Sequence, residues 1–238
     1  MNLQPWTIYQ EWEELTFFHW PIPPHIIRPF VPKPFAIDTF GGSAWLAIVP
    51  FRINHIRLRG LPPLPYFNHM LELNVRTYVT YKEEPGVYFL SLDANHPVGV
   101  ILARQFNLPY LHANMRLDQT TQTIHYTSRR THNGYPSAHF HACVHSLDAP
   151  FLASPGSLLY WLTERYTLWF TRNQYVYKGP IVHKRWQLQH ASADISIQDM
   201  TTPLPNKWFA QKPVTHFSKS QQTHIFPFQR VGLKDFSN

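Results

Sequence analysis

Charge is scarce in this 238-residue chain: Asp, Glu, Lys and Arg make up only 15% of it, against about 25% in an ordinary soluble protein. With 44% hydrophobic residues, that shortfall excludes a disordered or solvating chain, which needs charge in place of apolar groups. Glycine is also low, at nine residues, which excludes a collagen-like repeat or a glycine-rich linker. The single cysteine, Cys143, cannot close an intrachain disulfide and suits a reducing compartment. The longest apolar stretches, such as Ala44 to Phe51, fall far short of a bilayer span. The opening Met-Asn-Leu-Gln-Pro-Trp lacks the basic and apolar regions of a signal peptide. A soluble, cytoplasmic protein with no membrane partner is expected. Glycine-rich nucleotide loops, a Gly-x-Ser-x-Gly elbow and His-Glu-x-x-His are all missing, which removes support for dinucleotide redox chemistry, nucleotide hydrolysis and the usual serine or zinc hydrolysis.

What the chain has instead is rings. Aromatic residues reach 16%, and 22 prolines are nearly twice the usual share of about 5%. That composition describes a rigid, aromatic-filled globule, and with no linker or repeat to divide it, residues 1–238 are read as a single domain. The formal charge is +7, with 15 histidines besides. Nucleic acid is the first suspicion, but only Arg52, His55, Arg57 and Arg59 cluster, without a Lys/Arg-rich tract or a nucleic-acid motif. Interior arginines facing a small anion account for the excess equally well.

Periodicity outlines an α+β, mostly β chain. Trp6 to Leu15 places Ile8, Trp12 and Leu15 at helical spacing. The proline-dense Pro21 to Pro34 leaves room for one short helix at His25–Phe30. Phe35 to Ile53 reads as a hairpin turning at Gly41-Gly42, with a strand from Ala44 to Phe51, and Arg57 to Tyr66 as a loop. Leu71–Tyr81 and Val87–Asp93 read as a strand pair turning at Glu84-Pro85-Gly86, followed by a short helix from Pro97 to Asn107. Three strands follow, His112–Leu117, Thr123–Arg129 and Ala138–Val144. A helix is predicted over Ser157–Phe170, capped by Ser154 with Pro155 at its first position. Gln174 to Ile197, Val214–Ser218 and Ile225–Arg230 complete the strands.

Five places carry chemistry. On the strand Leu71–Tyr81, alternation sets Glu72, Asn74, Arg76 and Tyr78 on one face and Leu73, Val75, Thr77 and Val79 on the other. The polar row is either a solvated surface or a ladder lining a lumen, where a carboxylate beside a guanidinium can orient an anion or move a proton. Arg104 with Tyr110 either caps a helix end or stands at a pocket mouth. His139, His141, Cys143 and His145 share a strand face, but residues two apart on a flat strand seldom converge as a tetrahedral set, so no metal or cofactor is expected. Glu164 and Arg165 are adjacent and cannot face each other, so each calls for a partner elsewhere, as in an ion pair tying the helix to the sheet. His183 is a structural histidine or a proton shuttle.

Taken in order, a further set of motifs resembles a known family. His19-Trp20-Pro21, Ile27-Arg28-Pro29, Ile37-Asp38-Thr39-Phe40-Gly41-Gly42 and Val49-Pro50-Phe51 come first. Glu72-Leu73-Asn74-Val75-Arg76-Thr77-Tyr78, Gly86-Val87-Tyr88-Phe89, Ala103-Arg104 and Leu108-Pro109-Tyr110 follow, then Leu162-Thr163-Glu164-Arg165-Tyr166, His183 with Trp186, and His216-Phe217-Ser218. From about Trp6 to Val231 the chain resembles the YqjF-like family of uncharacterised bacterial proteins, grouped with the acetoacetate decarboxylase-like superfamily. The resemblance implies a cone-shaped antiparallel β-barrel with a few short helices outside and a pocket within, which favours the lumen reading. Acetoacetate decarboxylases form a Schiff base on a lysine after an Arg-Glu…Pro-Lys segment. The similar segment here is Arg104-Gln105-Phe106-Asn107-Leu108-Pro109-Tyr110, with glutamine for glutamate, one residue fewer before proline and tyrosine for lysine, so imine chemistry is not expected. The resulting expectation is a small-molecule pocket for an anionic or carboxylate ligand. Asn74, Arg76 and Arg104 would bind it, Glu72 and Tyr110 would serve as acid/base or hydrogen-bonding groups, and no metal or cofactor is called for. Catalysis and simple binding both stay open, as does a homo-oligomer, since barrel relatives often assemble.

Overall fold

The computed structural model describes residues 5–63, 65, 69–121 and 123–233; Leu64 and Tyr66 of the expected proline-rich loop lie outside that set. Thirteen strands form one sheet among the described residues: β1 (Ile8–Ile22), β2 (Ala36–Ile37), β3 (Ala44–Leu58), β4 (Met70–Tyr81), β5 (Glu84–Ala94), β6 (Tyr110–Gln119), β7 (Ile124–Arg130), β8 (His139–Ser146), β9 (Thr167–Arg172), β10 (Tyr175–His183), β11 (Gln189–Gln198), β12 (Val214–Ile225) and β13 (Gln229–Leu233). Three short helices accompany them: α1 (Pro24–Ile27), α2 (Pro97–Arg104) and α3 (Leu158–Thr163). The fold is α+β and mostly β, as the periodicity indicates.

The pairings close on themselves. From β4 through β5, β6, β7, β8, β11, β12, β1 and β3 the ladder returns to β4. A shorter path leaves β5 through β9 and β10 to β12 and closes a second circuit. All of these pairings are antiparallel except β5 with β6 and β5 with β9. The wall that the circuits share, β12-β1-β3-β4-β5, is therefore covered on both faces. This is why Ala44 through Phe51 reads as an unbroken apolar run. Leu46 and Ile48 pack with Phe18, Val75 and Phe140 inside the larger circuit, while Ala47, Val49 and Phe51 pack with Phe17 and Trp186 on the other side.

Several local expectations are corrected. Residues 8–22 form a strand, not a helix, because β1 pairs along its length with both β3 and β12. Glu14, at φ 53°, marks an irregularity in the pairing between Glu13 and Phe18 that shifts the alternation by one residue. Ile8, Trp12 and Leu15 consequently share a face at helical spacing without being helical. Gly41 and Gly42, both at positive φ, do form a tight turn closed by a Phe40–Ser43 bridge, but β2 then pairs with β4 instead of β3. The β4–β5 hairpin turns two residues earlier than expected, at Lys82-Glu83, whose φ values of 49° and 66° are those of a tight hairpin turn. Helix α3 starts from Ser157, whose hydroxyl accepts the Tyr160 N–H at 3.2 Å, not from Ser154. It ends at Thr163, because the β-prone Thr167–Arg172 segment pairs with β10.

Candidate functional site

The alternation of β4 positions the site. Leu73, Val75 and Val79 enter the larger core, whereas Glu72, Asn74 and Arg76 turn into a cavity of about 150 Å³ inside the smaller circuit. The polar row is thus an interior ladder. Trp12 and Phe17 of β1, Phe51 of β3, Phe89 of β5 and Trp186 wall the same cavity. Trp12 stacks on Trp186 at 6.2 Å, and Phe17 meets Trp186 edge-on at 5.0 Å. Such rings give a rigid, low-dielectric lining in which each polar group acts at close to full strength.

Glu72 and Tyr110 meet here. The Tyr110 hydroxyl donates to Glu72 Oε2 at 2.9 Å, and both side chains are enclosed. Burial raises the Glu72 carboxyl from 4.5 to about 7, against a smaller opposing effect of its hydrogen bonds. The same burial, together with the neighbouring carboxylate, drives the Tyr110 hydroxyl well above 10. Glu72 is therefore poised to exchange a proton near neutral pH while Tyr110 stays a donor.

The cationic side is Arg76. Its guanidinium lies 5.6 Å from the Phe17 ring centre and 5.9 Å from that of Tyr78. Its Nε is buried with no hydrogen-bond partner, and among the described residues it has no carboxylate within ion-pair distance. Arg165 lines the cavity as well. It caps α3 by donating from Nε to the Trp161 carbonyl at 2.6 Å and pairs through Nη1 with Asp38 at 2.7 Å, the ion pair with the sheet that the sequence calls for. Its Nη2 remains buried without a partner. Asn74 Oδ1 is likewise unpartnered. The two orphaned donors, Arg76 Nε and Arg165 Nη2, belong to residues that line one cavity and are what a bound acceptor would satisfy, while Asn74 Oδ1 is free to accept from a ligand donor. His183 completes the wall. Its Nδ1 lies 2.7 Å from the Lys184 carbonyl, and burial lowers its pKa, which keeps the ring neutral.

Arg104 does not join this group. It ends α2 and donates to the Tyr110 carbonyl at 2.8 Å and to the Tyr135 hydroxyl at 3.4 Å, so it braces the backbone of Tyr110 from outside the cavity. The histidine strand is also dispersed: His139 lies against Asp199, and His141 against the Ser196 hydroxyl. Cys143 Sγ sits 3.7 Å from His125 Nε2 and 3.6 Å from His145 Nε2, yet among the described residues no group of three or more His, Cys, Asp or Glu is arranged to hold a metal ion. Of the basic cluster, Arg57 stacks over Trp6 and Tyr9, and His55 pairs with Glu11. Sequence reasoning missed the wall of Trp12, Phe17 and Trp186, whose signal is hidden by the irregularity at Glu14.

A closed, mainly antiparallel sheet with an enclosed polar-and-aromatic cavity defines the class: the chain has the acetoacetate decarboxylase-like fold. An acetoacetate decarboxylase-like enzyme from Sphingomonas wittichii RW1 superposes with a TM-score of 0.68 at 10% identity, over 97% of this chain and 95% of that one. The acetoacetate decarboxylase of Legionella pneumophila gives 0.65 at 13% identity, covering 98% and 90%. The enduracididine biosynthesis enzyme MppR, in complex with pyruvate, gives 0.65 at 9% identity, covering 96% and 91%. At such identities the likeness is one of fold alone. Residues 9–222 match the family DUF2071, described as an uncharacterized conserved protein, and the chain belongs to that family. The uncharacterized protein YqjF of Bacillus subtilis (strain 168) is 40% identical over 226 residues, 94% of this chain and 93% of its own. Among the described residues no lysine lines the cavity, and Tyr110 stands where the resemblance would put the imine-forming amine. Among the described residues no helix is long and apolar enough to cross a membrane.

Proposed function

We propose that the chain is a single-domain cytoplasmic protein that binds a small carboxylate in the β4 cavity, with Glu72 available to move a proton on it. The observation that carries this reading is Arg76, a half-buried guanidinium whose Nε is buried and which has no carboxylate partner among the described residues, lining one cavity with a carboxyl that titrates near 7. A ligand carboxylate on Arg76 would supply the missing counter-charge, and a carbonyl or hydroxyl oxygen could accept from Arg165 Nη2 or from Tyr110. A cavity of about 150 Å³ is the size that holds a benzene-sized ligand, roughly six non-hydrogen atoms. Pyruvate, the ligand of one structural neighbour, is a carboxylate of that size. Chemistry here would proceed without an imine: Glu72 would take a proton from the carbon beside a carbonyl and return it. Arg104 has no direct part in this reading. Simple binding without turnover is the alternative, and the same experiment separates the two.

The test is thermal-shift and calorimetric titration with pyruvate and acetoacetate on wild type, Arg76→Leu and Glu72→Gln. A ligand at 100 times its Kd adds about 2.7 kcal/mol of stability, or roughly 5–11 °C in a chain of this length. Wild type should show this gain and Arg76→Leu should lose it. No stabilisation by either acid, or equal stabilisation of both proteins, refutes the site. Deuterium entering the pyruvate methyl group in D2O, and its loss in Glu72→Gln, would mark proton transfer. Tight binding without exchange would mark a binding protein.

A further inference from the structure

A second cavity lies on the opposite face of the shared wall, inside the larger circuit. It is larger, about 350 Å³, and falls in the range usual for small-molecule sites. Apolar side chains, Phe30, Val75, Leu90, Leu111, Met200 and Leu204, form one part of its wall, four of them 5% exposed or less, and uncharged hydroxyls of Ser91, Thr201 and Thr202 another. Cavities this large are not left by ordinary core packing, which tolerates few voids bigger than a water molecule.

The polar groups of this cavity differ in kind from those around Glu72. Arg130 lines it and is only 9% exposed, but its charge is already met. Nε donates to Asp93 Oδ2 at 2.9 Å, and Nη2 donates to Asp93 Oδ1 at 2.8 Å and to Ser91 Oγ at 3.1 Å. Among the described residues, Nη1 has no hydrogen-bond partner. Asp199 adds a further carboxylate to the lining. The Arg130–Asp93 pair is neutral as a unit, and a ligand anion would meet the Asp199 carboxylate while the Arg130 charge is already taken up by Asp93. An uncharged acceptor oxygen pays no such penalty and can still receive the Nη1 hydrogen bond.

We infer that this cavity is a second ligand site, selective for an uncharged, largely apolar molecule of about a dozen non-hydrogen atoms with one carbonyl or hydroxyl oxygen. The inference is independent of the carboxylate reading, since its residues lie on the other face of β4 and β5. Val75 and Leu90 face this cavity, while Asn74, Arg76 and Phe89 face the first.

The four methionines provide a local readout, because Met200 lines this cavity whereas Met70 and Met115 pack elsewhere. Protein labelled with ¹³C at the methionine methyl groups is titrated with 2-octanone and, separately, with octanoate, the Met200 signal being assigned by Met200→Leu. The Met200 methyl should shift saturably with the ketone, with at least tenfold weaker affinity for the carboxylate. Ser137→Trp, placed at the exposed rim where it cannot disturb the core, should weaken ketone binding at least tenfold, and Ala138→Phe, which fills the interior, should do the same. Arg76→Leu should leave ketone binding unchanged, so loss of the carboxylate site does not mimic loss of this one. The inference is overturned by an unmoved Met200 up to the solubility of the ketone, by undiminished affinity in Ser137→Trp, or by octanoate binding as tightly as the ketone.

Discussion

Replacing Glu72 with glutamine should change how stability depends on pH, and the size of the change follows from the site. The folded carboxyl titrates at about 7 against an ordinary 4.5, chiefly because it is buried. Between those values the folded protein holds a proton that the unfolded chain has released. Stability therefore falls as pH rises, with slope set by the difference in bound protons. The contribution is fully present below pH 4.5 and gone above pH 7. At about 1.4 kcal/mol per tenfold change in proton affinity, the loss comes to about 3 kcal/mol. In a chain of this length that is about 6–12 °C in Tm. Glutamine cannot ionise, and its carbonyl oxygen can still accept the Tyr110 hydroxyl, so Glu72→Gln removes the penalty with little change in shape. The assay is differential scanning fluorimetry of both proteins from pH 4.5 to 8, read as the difference in Tm, in which the other titrating groups cancel. The variant should gain on wild type progressively across that range and level off above pH 7. A Tm difference constant to within about 1 °C would refute the claim that Glu72 is buried and protonated in the folded state.

Three further outcomes follow from particular contacts. Arg104→Gln removes the donor to the Tyr110 carbonyl, so it should cost about 1–3 kcal/mol of stability, as a lost charged hydrogen bond does. Carboxylate affinity in calorimetry should stay within about threefold of wild type; a loss as large as that of Arg76→Leu would place Arg104 at the ligand. His216 is held down to about 4, mostly by burial and also by His190. Its sign is opposite to that of Glu72: a contribution of about 3 kcal/mol, present above pH 6.5, is lost as pH falls toward 4. His216→Asn should abolish that acid-side slope in fluorimetric melts. Gly86→Ala would set a Cβ 2.5 Å from both the Thr167 carbonyl oxygen and Trp169 Cδ1, at the one point where β5 bridges β9. It should destabilise by at least about 1–3 kcal/mol, a loss measurable by urea unfolding.

Much of the fold is legible because most strands keep strict alternation between ordinary turns. β4, β6, β7 and β8 fall within a few residues of their expected spans, and the polar row of β4 is visible in the sequence as Glu72, Asn74 and Arg76. What alternation cannot say is what each face meets. A polar row opposite an apolar row fits a solvated sheet as well as a lumen, and only closure of the second circuit through β9 and β10 decides between them. β1 was illegible for a different reason. An inserted residue at Glu14 moves the apolar positions from even to odd, so a bulged strand face reproduces the spacing of one helix face. The segment after α3 was misread because Leu159, Leu162, Tyr166 and Trp169 continue a helical stripe that local sequence has no means of ending. Pairing of β9 with β10 ends it.

Doubly covered strands also explain why charge is scarce and yet well placed. A strand with water on one face can carry charge at every second position at little cost, whereas the strands of the shared wall have a core or a cavity on each side over much of their length. There an ionisable residue is tolerated only where something compensates it. Asp93 has Arg130, and Arg165 has Asp38. Glu72 is compensated by keeping its proton. Arg76 fits none of these cases: it cannot shed its charge, and among the described residues no carboxylate pairs with it, the rings of Phe17 and Tyr78 lying against it instead. This half-buried cation without a carboxylate partner is more informative than the net charge of +7. On the proposed reading, a ligand carboxylate would supply the compensation that the described residues do not.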